Sequence, residues 1–431
     1  MKQLDHVLSV EVTLELAGEM LPIGRIAWRA GERRSYFEYS QAALDRRLNL
    51  SPFNLPLRPG AQSAPHVPFE GLHGLFNDSL PDGWGRKLLD RRLQRLDYDF
   101  LTLGPLDRLS FVGTTGMGAL RYKPVGLLEE VIDGGLDLDW LATQAEMVQE
   151  ESPEADVDRL QAAQGGSGGV RPKIVAGLDT ATGLLVQDRN TGLAVGYEPW
   201  IVKFRAESDP REIGPEEYAY SLMSRAAGVE MPETRLLMGS SGNAYFAVRR
   251  FDRAAAGAIH VHTLSGLLHA DHREPQVDYG ILLKATRLLT RDERHVESMF
   301  TRMVFNVLAR NRDDHSKNHA FQMKADGAWV PTPAYDLTFS SGPGGEHNMA
   351  IAGEGRNPGH RHIMQEAKGA GLTPLRAQAI FDEVKAAVDA WPRFAENAGL
   401  SEARMAELDY VLNERGRAPA DDVESTATSS P

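Results

Sequence analysis

The segment from Asn306 to Asp336, NVLARNRDDHSKNHAFQMKADGAWVPTPAYD, constrains the fold more than any other part of the chain. It places Asp313 and Asn318 five positions apart (318 − 313), then a stretch patterned as a hairpin, then Asp336. Asp326 and Gly327 make a turn signal between FQM and AWV, which folds Asn318 and Asp336 toward each other. A carboxylate followed by an amide and a second carboxylate is the order needed for a base that accepts a hydroxyl proton and for two magnesium ligands, the requirements of phosphoryl transfer from ATP. The plainer alternative is that DDHSKN only caps the preceding helix and turns the chain, since a short D-x-x-x-x-N match by itself is more often chance than catalysis.

The surroundings support the first reading. From Thr290 to Arg310 the pattern predicts a helix with a capping box from Thr290 and Glu293, and Val296, Phe300, Met303, Val304 and Val307 on one face. That helix delivers Asp313 from its C-terminal end, and Lys317 stands where it could neutralise charge on a transferring phosphoryl group. Upstream, WIVKF alternates Trp200, Val202 and Phe204 on one strand face with Ile201 and Lys203 on the other. An inward lysine needs an anionic partner, and the candidates are nucleotide phosphates and Glu217, as an ion pair across to the following helix. An edge strand with Lys203 in water is the competing explanation. Gly165, Gly166, Gly168 and Gly169 surround Ser167 ahead of Lys173, so bare backbone amides could approach phosphates there, although a plain linker has the same composition. Lys173 precedes Lys203 by thirty residues (203 − 173) and Lys203 precedes Asp313 by 110 (313 − 203), so glycine loop, strand lysine, base and metal ligand follow in kinase order.

Along the chain, alternation from Val10 to Leu16 predicts a half-buried strand, and the region after Asp82 reads as helical. Between Glu150 and Gly169 an acidic and then Gly/Ser-rich stretch reads as a linker. KIVAG, LLVQD, WIVKF and YFAV predict a small sheet carrying one helix, Glu216 to Ala227, closed by Gly228. After Arg253 the chain turns helical, with Thr373–Pro374 and Ser401 opening further helices. The expected organisation is an N-terminal subdomain over 1–155, a nucleotide-binding lobe over 156–254, a helical lobe over 255–417 and a disordered tail over 418–431.

With no cysteine, the 431-residue chain has no disulfide framework and no thiolate metal site, which points to a reducing cytoplasm. Asp5, Glu11 and Glu15 interrupt any apolar leader, and no stretch is apolar and long enough for a membrane span. A formal charge of −13 works against nonspecific nucleic-acid binding; the basic run RKLLDRRLQR, Arg86 to Arg95, reads as a solvated helix face.

GGVRPK at Gly168 to Lys173, IVKF at Ile201 to Phe204, RRFDR at Arg249 to Arg253, DDHSKN at Asp313 to Asn318 and YDL at Tyr335 to Leu337 together resemble HipA-type serine/threonine kinases. FNDSLPDGWGRKLLDRRL, Phe76 to Leu93, is similar to the N-terminal region of those proteins, and HTLSGLLHAD, His262 to Asp271, resembles another family segment to which no chemical role attaches. The resemblance implies an α+β, protein-kinase-like two-lobed fold with a β-rich N-terminal subdomain and a helical C-lobe. It implies ATP and Mg2+ as cofactors, a protein substrate such as an aminoacyl-tRNA synthetase, and a role as toxin of a type II toxin–antitoxin pair. Its antitoxin would be a small helix-turn-helix dimer that recruits the chain to DNA, an indirect role that agrees with the acidic charge. By the same resemblance Gly168, Gly169, Val170, Arg171, Pro172, Lys173 and Lys203 hold ATP phosphates, and the backbone of Arg249, Arg250 and Phe251 meets the adenine. Asp313 accepts the proton, while His315, Ser316, Lys317, Asn318, Tyr335 and Asp336 line the nucleotide, with Asn318 and Asp336 on magnesium. Ser167 is the one candidate for autophosphorylation in the glycine loop, but it is offset by one position from the family pattern, and Arg249 stands where an acidic residue is common.

Two other readings compete. Asp313, Asp314, His315 and His319 combine carboxylate and imidazole as a metal-dependent hydrolase would. The chain could also be a catalytically inactive nucleotide-binding co-repressor, against which stands the presence of Lys203, Asp313, Asn318 and Asp336 together.

Overall fold

The alternation at the N-terminus produces the strand Ser9–Leu16, in which Val10, Val12 and Leu14 are fully buried while Glu11 faces outward. It lies within an antiparallel five-stranded sheet ordered Gln62–Ser63, Arg34–Tyr39, Glu19–Arg29, Ser9–Leu16, Leu120–Lys123. The computed structural model describes residues 6–125, 132, 134–166, 168–188 and 192–413, so the expected tail over 418–431 and Ser167 lie outside the described residues.

KIVAG, LLVQD, WIVKF and YFAV build a second antiparallel sheet, ordered Leu185–Gln187, Lys173–Asp179, Tyr197–Lys203, Ala244–Arg249, Thr234–Met238. Tyr197–Lys203 is the central strand, which removes the edge-strand explanation for Lys203. Its Trp200 and Val202, followed by Phe204, join Ile174, Ala176, Tyr245 and Ala247 in a core shared with the helices Leu138–Gln149 and Val157–Gln164. Lys203 leaves by the other face, and the strand register puts Lys173 directly opposite it. One side of this sheet is thus covered by hydrocarbon and the other is lined by ammonium groups.

The stretch expected to be a linker, Glu150 to Gly169, carries the helix Val157–Gln164, opened by Asp156, whose side chain accepts the Arg159 N–H. Val157, Leu160 and Ala163 are buried against the second sheet. This is helix stabilised by tertiary packing, a contribution that an acidic local composition conceals. The basic run near it is also explained internally. Arg91 donates to the carbonyls of Val148 and Ser152 at 2.9 and 2.7 Å and Arg95 to that of Ala155, serving the C-terminal end of Leu138–Gln149 and the loop after it, while Arg92 pairs with Asp158 in the first turn of Val157–Gln164 at 2.7 Å.

After Arg253 the main elements are the helices Tyr279–Thr290, Glu293–Leu308, His360–Gly369, Pro374–Asp389, Trp391–Asn397 and Glu402–Asn413. Thr290 closes one helix instead of opening the next; Arg291 adopts a left-handed φ of 55°, and Asp292 caps Glu293–Leu308 by accepting the Arg294 N–H at 2.9 Å. The apolar face follows the pattern, with Val296, Phe300, Met303 and Val304 fully buried, each stabilising by at most about 1.5–3 kcal/mol. These helices and the first sheet share one continuous core. Close backbone approach sets two of its junctions. A Cβ on Gly74 would lie 2.1 Å from the Gly266 carbonyl oxygen, and one on Gly214 would lie 2.4 Å from that of Ala244. Glycine at 214 therefore lets the helix Ile213–Ala226 settle on the second sheet and brings Glu217 toward Lys203. No helix among the described residues is long and apolar enough to cross a membrane.

Candidate active site

Lys203 rises from the second sheet between two carboxylates. Its Nζ lies 2.5 Å from Asp336 Oδ1 and 3.1 Å from Glu217 Oε2, and only 10 % of its side chain is exposed. Asp336 comes from the loop after the hairpin Ala320–Met323/Trp329–Pro331, whose turn holds Gly327 at a φ of 83°. Asp336 itself takes the left-handed conformation, φ 52°, which turns its carboxylate toward the sheet. Burial favours its neutral form, but Lys203 and Lys173 outweigh that and hold the carboxyl well below the ordinary range. For Lys203, burial opposes the charge and Asp336 and Glu217 more than restore it, so its pKa lies above the usual value. Arg171 extends the cluster, bonding Glu217 Oε1 at 2.9 Å and Asp209 at 3.0 Å.

The glycine loop enters from the side of Lys173, which is buried and donates from Nζ to the Gly168 carbonyl at 2.6 Å. Gly169 has a φ of 104°, so this loop needs glycine for its backbone, and a Cβ there would also press on Lys173 Nζ. Lys173 has a lowered pKa because burial outweighs the attraction of Asp336 and Asp82. Asp82, at the start of the helix Gly83–Arg95, accepts the Gly169 N–H with one oxygen and pairs with Lys317 through the other. Val170 is exposed at the loop's surface.

The loop Arg312 to Asn318 is held from below. Asp314 is fully buried and accepts from Tyr279 Oη at 2.7 Å, His347 Nδ1 at 2.8 Å and the Asn348 N–H at 2.9 Å. Asn306 donates to Tyr279 Oη, Asn311 donates to Asn306, and Asn311 also reaches the Asp336 carbonyl, so one hydrogen-bonded chain ties this loop to the Asp336 loop. Anchored that way, the next-door Asp313 points outward with 60 % of its side chain exposed, 3.8 Å from His315. Burial by the surrounding protein and the neighbouring Asp336 push its carboxyl above the ordinary range, while His315 draws it back. Asn318 Nδ2 donates to the Asp313 carbonyl at 2.8 Å. Tyr335 Oη donates to the Lys317 carbonyl at 2.7 Å, and its ring stacks on Phe251 at 5.6 Å.

The residues expected around the nucleotide therefore divide. Lys173, Lys203, Glu217, Arg171, Asp336 and, through Asp82, Lys317 and Gly169 form one connected charged cluster. Asp313, His315 and Asn318 sit on the adjoining loop, and Asp336 and Arg171 both influence Asp313 electrostatically. The side chains of Arg249 and Arg250 are engaged outside this cluster. Arg249 pairs with Glu198, while Arg250 is fully buried between Asp188 and Asp252; their N–H groups go to the Glu233 and Pro199 carbonyls, which leaves Phe251 as the part of that segment nearest Tyr335. Ser316 is buried in a short turn, and Pro172 uses its carbonyl to receive the Phe204 N–H. Asp82 and Asp209 were not expected here; the only signal for Asp82 was the LPDG stretch, which matches a family segment without stating a partner.

The hydrolase constellation is not assembled. Asp314 is occupied by three donors, and His319 is buried and neutral, its pKa pushed down to about 3 by burial. Among the described residues no three His, Asp or Glu side chains are grouped as a metal site. A magnesium held mainly by its nucleotide asks less of the protein, typically one or two oxygen ligands.

Family models match two parts of the chain, the HipA N-terminal domain over residues 15–123 and the HipA-like C-terminal domain over 165–391. A curated relative, the "Putative kinase Y4dM" of Sinorhizobium fredii, is 26 % identical over 151 residues, 32 % of this chain; the match spans about a third of that relative's length, 36 %. Among solved structures, the Shewanella oneidensis HipA, determined in complex with HipB and operator DNA, aligns over 94 % of this chain and 96 % of its own with a TM-score of 0.66 and 17 % identity, which shows a shared fold. The Helicobacter pylori proinflammatory kinase CtkA covers 51 % of this chain and 87 % of its own at a TM-score of 0.37 and 14 % identity. With a family model covering more than half of its length and a second one ahead of it in the expected order, the chain belongs to the HipA-like family and has its α+β, kinase-like fold.

Proposed function

We propose that this protein is a magnesium-dependent ATP:protein serine/threonine kinase, the toxin of a HipA/HipB-like type II toxin–antitoxin pair in the cytoplasm, acting on a cytosolic protein such as an aminoacyl-tRNA synthetase. The observation that carries the proposal is the Lys203–Asp336–Glu217 junction. Three residues from a sheet, a helix and a distant loop, Lys203 and Asp336 being 133 positions apart, meet at pairing distance beside Lys173, which bonds the glycine loop.

In this reading the loop Gly168 to Lys173, through its N–H groups other than at Pro172, takes the nucleotide phosphates together with the Lys173 and Lys203 ammonium groups. Arg171 steadies Glu217, and Phe251 with Tyr335 borders the base. Asp313, exposed on an anchored loop, receives the proton of the substrate hydroxyl, and a carboxyl raised above its ordinary range is a better base than a fully stabilised one. Asn318, whose Nδ2 is committed to the Asp313 carbonyl, has Oδ1 left for a cation, and Asp336 supplies the second ligand. Magnesium, when bound with the nucleotide, neutralises charge that develops on the transferring phosphoryl oxygens. The HipB and operator DNA that accompany the structural relative support a small helix-turn-helix antitoxin as partner here, with DNA reached mainly through it.

Incubation with radiolabelled ATP, magnesium and a cell extract tests the proposal. Label should pass to protein, including the chain itself if Ser167 is modified, and should vanish with Asp313→Gln and with Asp336→Ala. Transfer that persists in both variants overturns the kinase reading, and tight MgATP binding with no transfer to any protein favours the inactive co-repressor.

A further inference from the structure

Two groups assigned above to the phosphate side of the site are already occupied by a carboxylate of this chain. Asp82 Oδ1 accepts the Gly169 N–H, and Asp82 Oδ2 pairs with Lys317. Asp82 occupies the cap position of the helix Gly83–Arg95, yet its side chain makes no capping hydrogen bond. Both oxygens are instead committed to partners 87 and 235 positions away. The backbone follows the same contact. Trp84 N–H donates to the Gly169 carbonyl at 3.0 Å, and a Cβ on Gly83 would come within 2.7 Å of Val170 Cα.

A carboxylate that bridges a glycine-loop amide and an ammonium uses the donors a phosphate oxygen would use. The charge count points the same way. Lys173, Lys203, Arg171 and Lys317 face Asp336, Glu217, Asp209 and Asp82, four cations against four carboxylates. Lys317 and the Gly169 N–H become free for a phosphate only when Asp82 withdraws. Asp336 and Glu217 are clamped on Lys203, whereas Asp82 makes no bond to Lys203 and stands at the start of a helix in the N-terminal segment.

We propose that Asp82 is an internal stand-in for a nucleotide phosphate, filling the seat between the Gly169 amide and Lys317, and that ATP binds by displacing it. The N-terminal segment then senses occupancy, because losing the Asp82 contacts releases the start of Gly83–Arg95 from the glycine loop. This inference rests on the nucleotide-site reading above.

Calorimetric titration of MgATP and, separately, of adenosine into the full-length wild type, Asp82→Asn and Asp82→Glu separates the two. Asp82→Asn keeps the shape and drops the charge, so it should bind MgATP on the order of tenfold more tightly with adenosine affinity unchanged, and Asp82→Glu should stay near wild type. Wild-type binding with no gain in Asp82→Asn, or an equal gain for adenosine, overturns the stand-in and leaves the nucleotide site intact. Absence of MgATP binding in every form overturns both. Hydrogen exchange on the unaltered protein needs no variant: MgATP should speed exchange of the Trp84 N–H while Gly169 stays protected, and an unchanged Trp84 rate contradicts displacement.

Discussion

Replacing Lys203 by methionine keeps the hydrocarbon stem and removes the charge that joins Asp336 to Glu217. At separations of 2.5 and 3.1 Å, and an effective dielectric constant near 20, each attraction is about 5–7 kcal/mol before desolvation. Removing one partner of a buried pair costs about 3–5 kcal/mol because the other charge remains without compensation. Two features lower that here: Arg171 stays on Glu217 at 2.9 Å, and Asp336 is 36 % exposed to water. Lys203→Met should therefore destabilise by about 2–3 kcal/mol, read from urea unfolding of wild type and variant under identical conditions. Asp336→Asn removes one of the stranded charges, so the double variant should regain about 1 kcal/mol relative to additivity. The Asp336 carboxyl should also titrate higher in Lys203→Met, because Lys203 is the strongest of the charges that hold it down. A single variant within about 0.5 kcal/mol of wild type, or a strictly additive double variant, would refute this account of the junction.

Two further outcomes follow from buried groups outside that junction. Asp314→Ala strands Tyr279 Oη, His347 Nδ1 and the Asn348 N–H, and should cost about 3 kcal/mol while loosening the loop that carries Asp313; thermal unfolding together with exchange of the Asn348 amide measures both. Burial lowers the pKa of His73 and His260 to about 4 and of His319 to about 3, so between those values and about 6.5 the unfolded chain binds more protons and stability must fall as pH falls. Each histidine contributes about 1.4 kcal/mol per pH unit in that window, and unfolding midpoints at pH 7.5, 6.5 and 5.5 should drop below 6.5 and change little above it.

Local pattern alone was enough for much of the molecule. Period-two alternation at Val10 to Leu14 and in WIVKF, the 3.6-residue face of Val296 to Val307 and the Asp326–Gly327 turn each act over a few residues, so the chain records them directly. The order of the glycine loop, Lys203, Asp313, Asn318 and Asp336 was legible for a related reason, since each residue type is suited to its chemistry before it meets the others. Contacts across long sequence distance were not. That Asp292 and not Thr290 opens its helix depends on where Arg291 breaks the turn, and the acidic stretch before the glycine loop becomes helix only because Leu160 and Ala163 find the second sheet. The side chain of Arg250 is sealed between two aspartates, a placement that no local pattern announces. Tertiary structure also decided that Asp82 reaches Gly169 and Lys317, and that Gly214 sets Glu217 close to Lys203. Charge pairing and steric fit between distant segments are properties of the folded surface, and no local rule of composition or periodicity encodes which carboxylate an ammonium group will find.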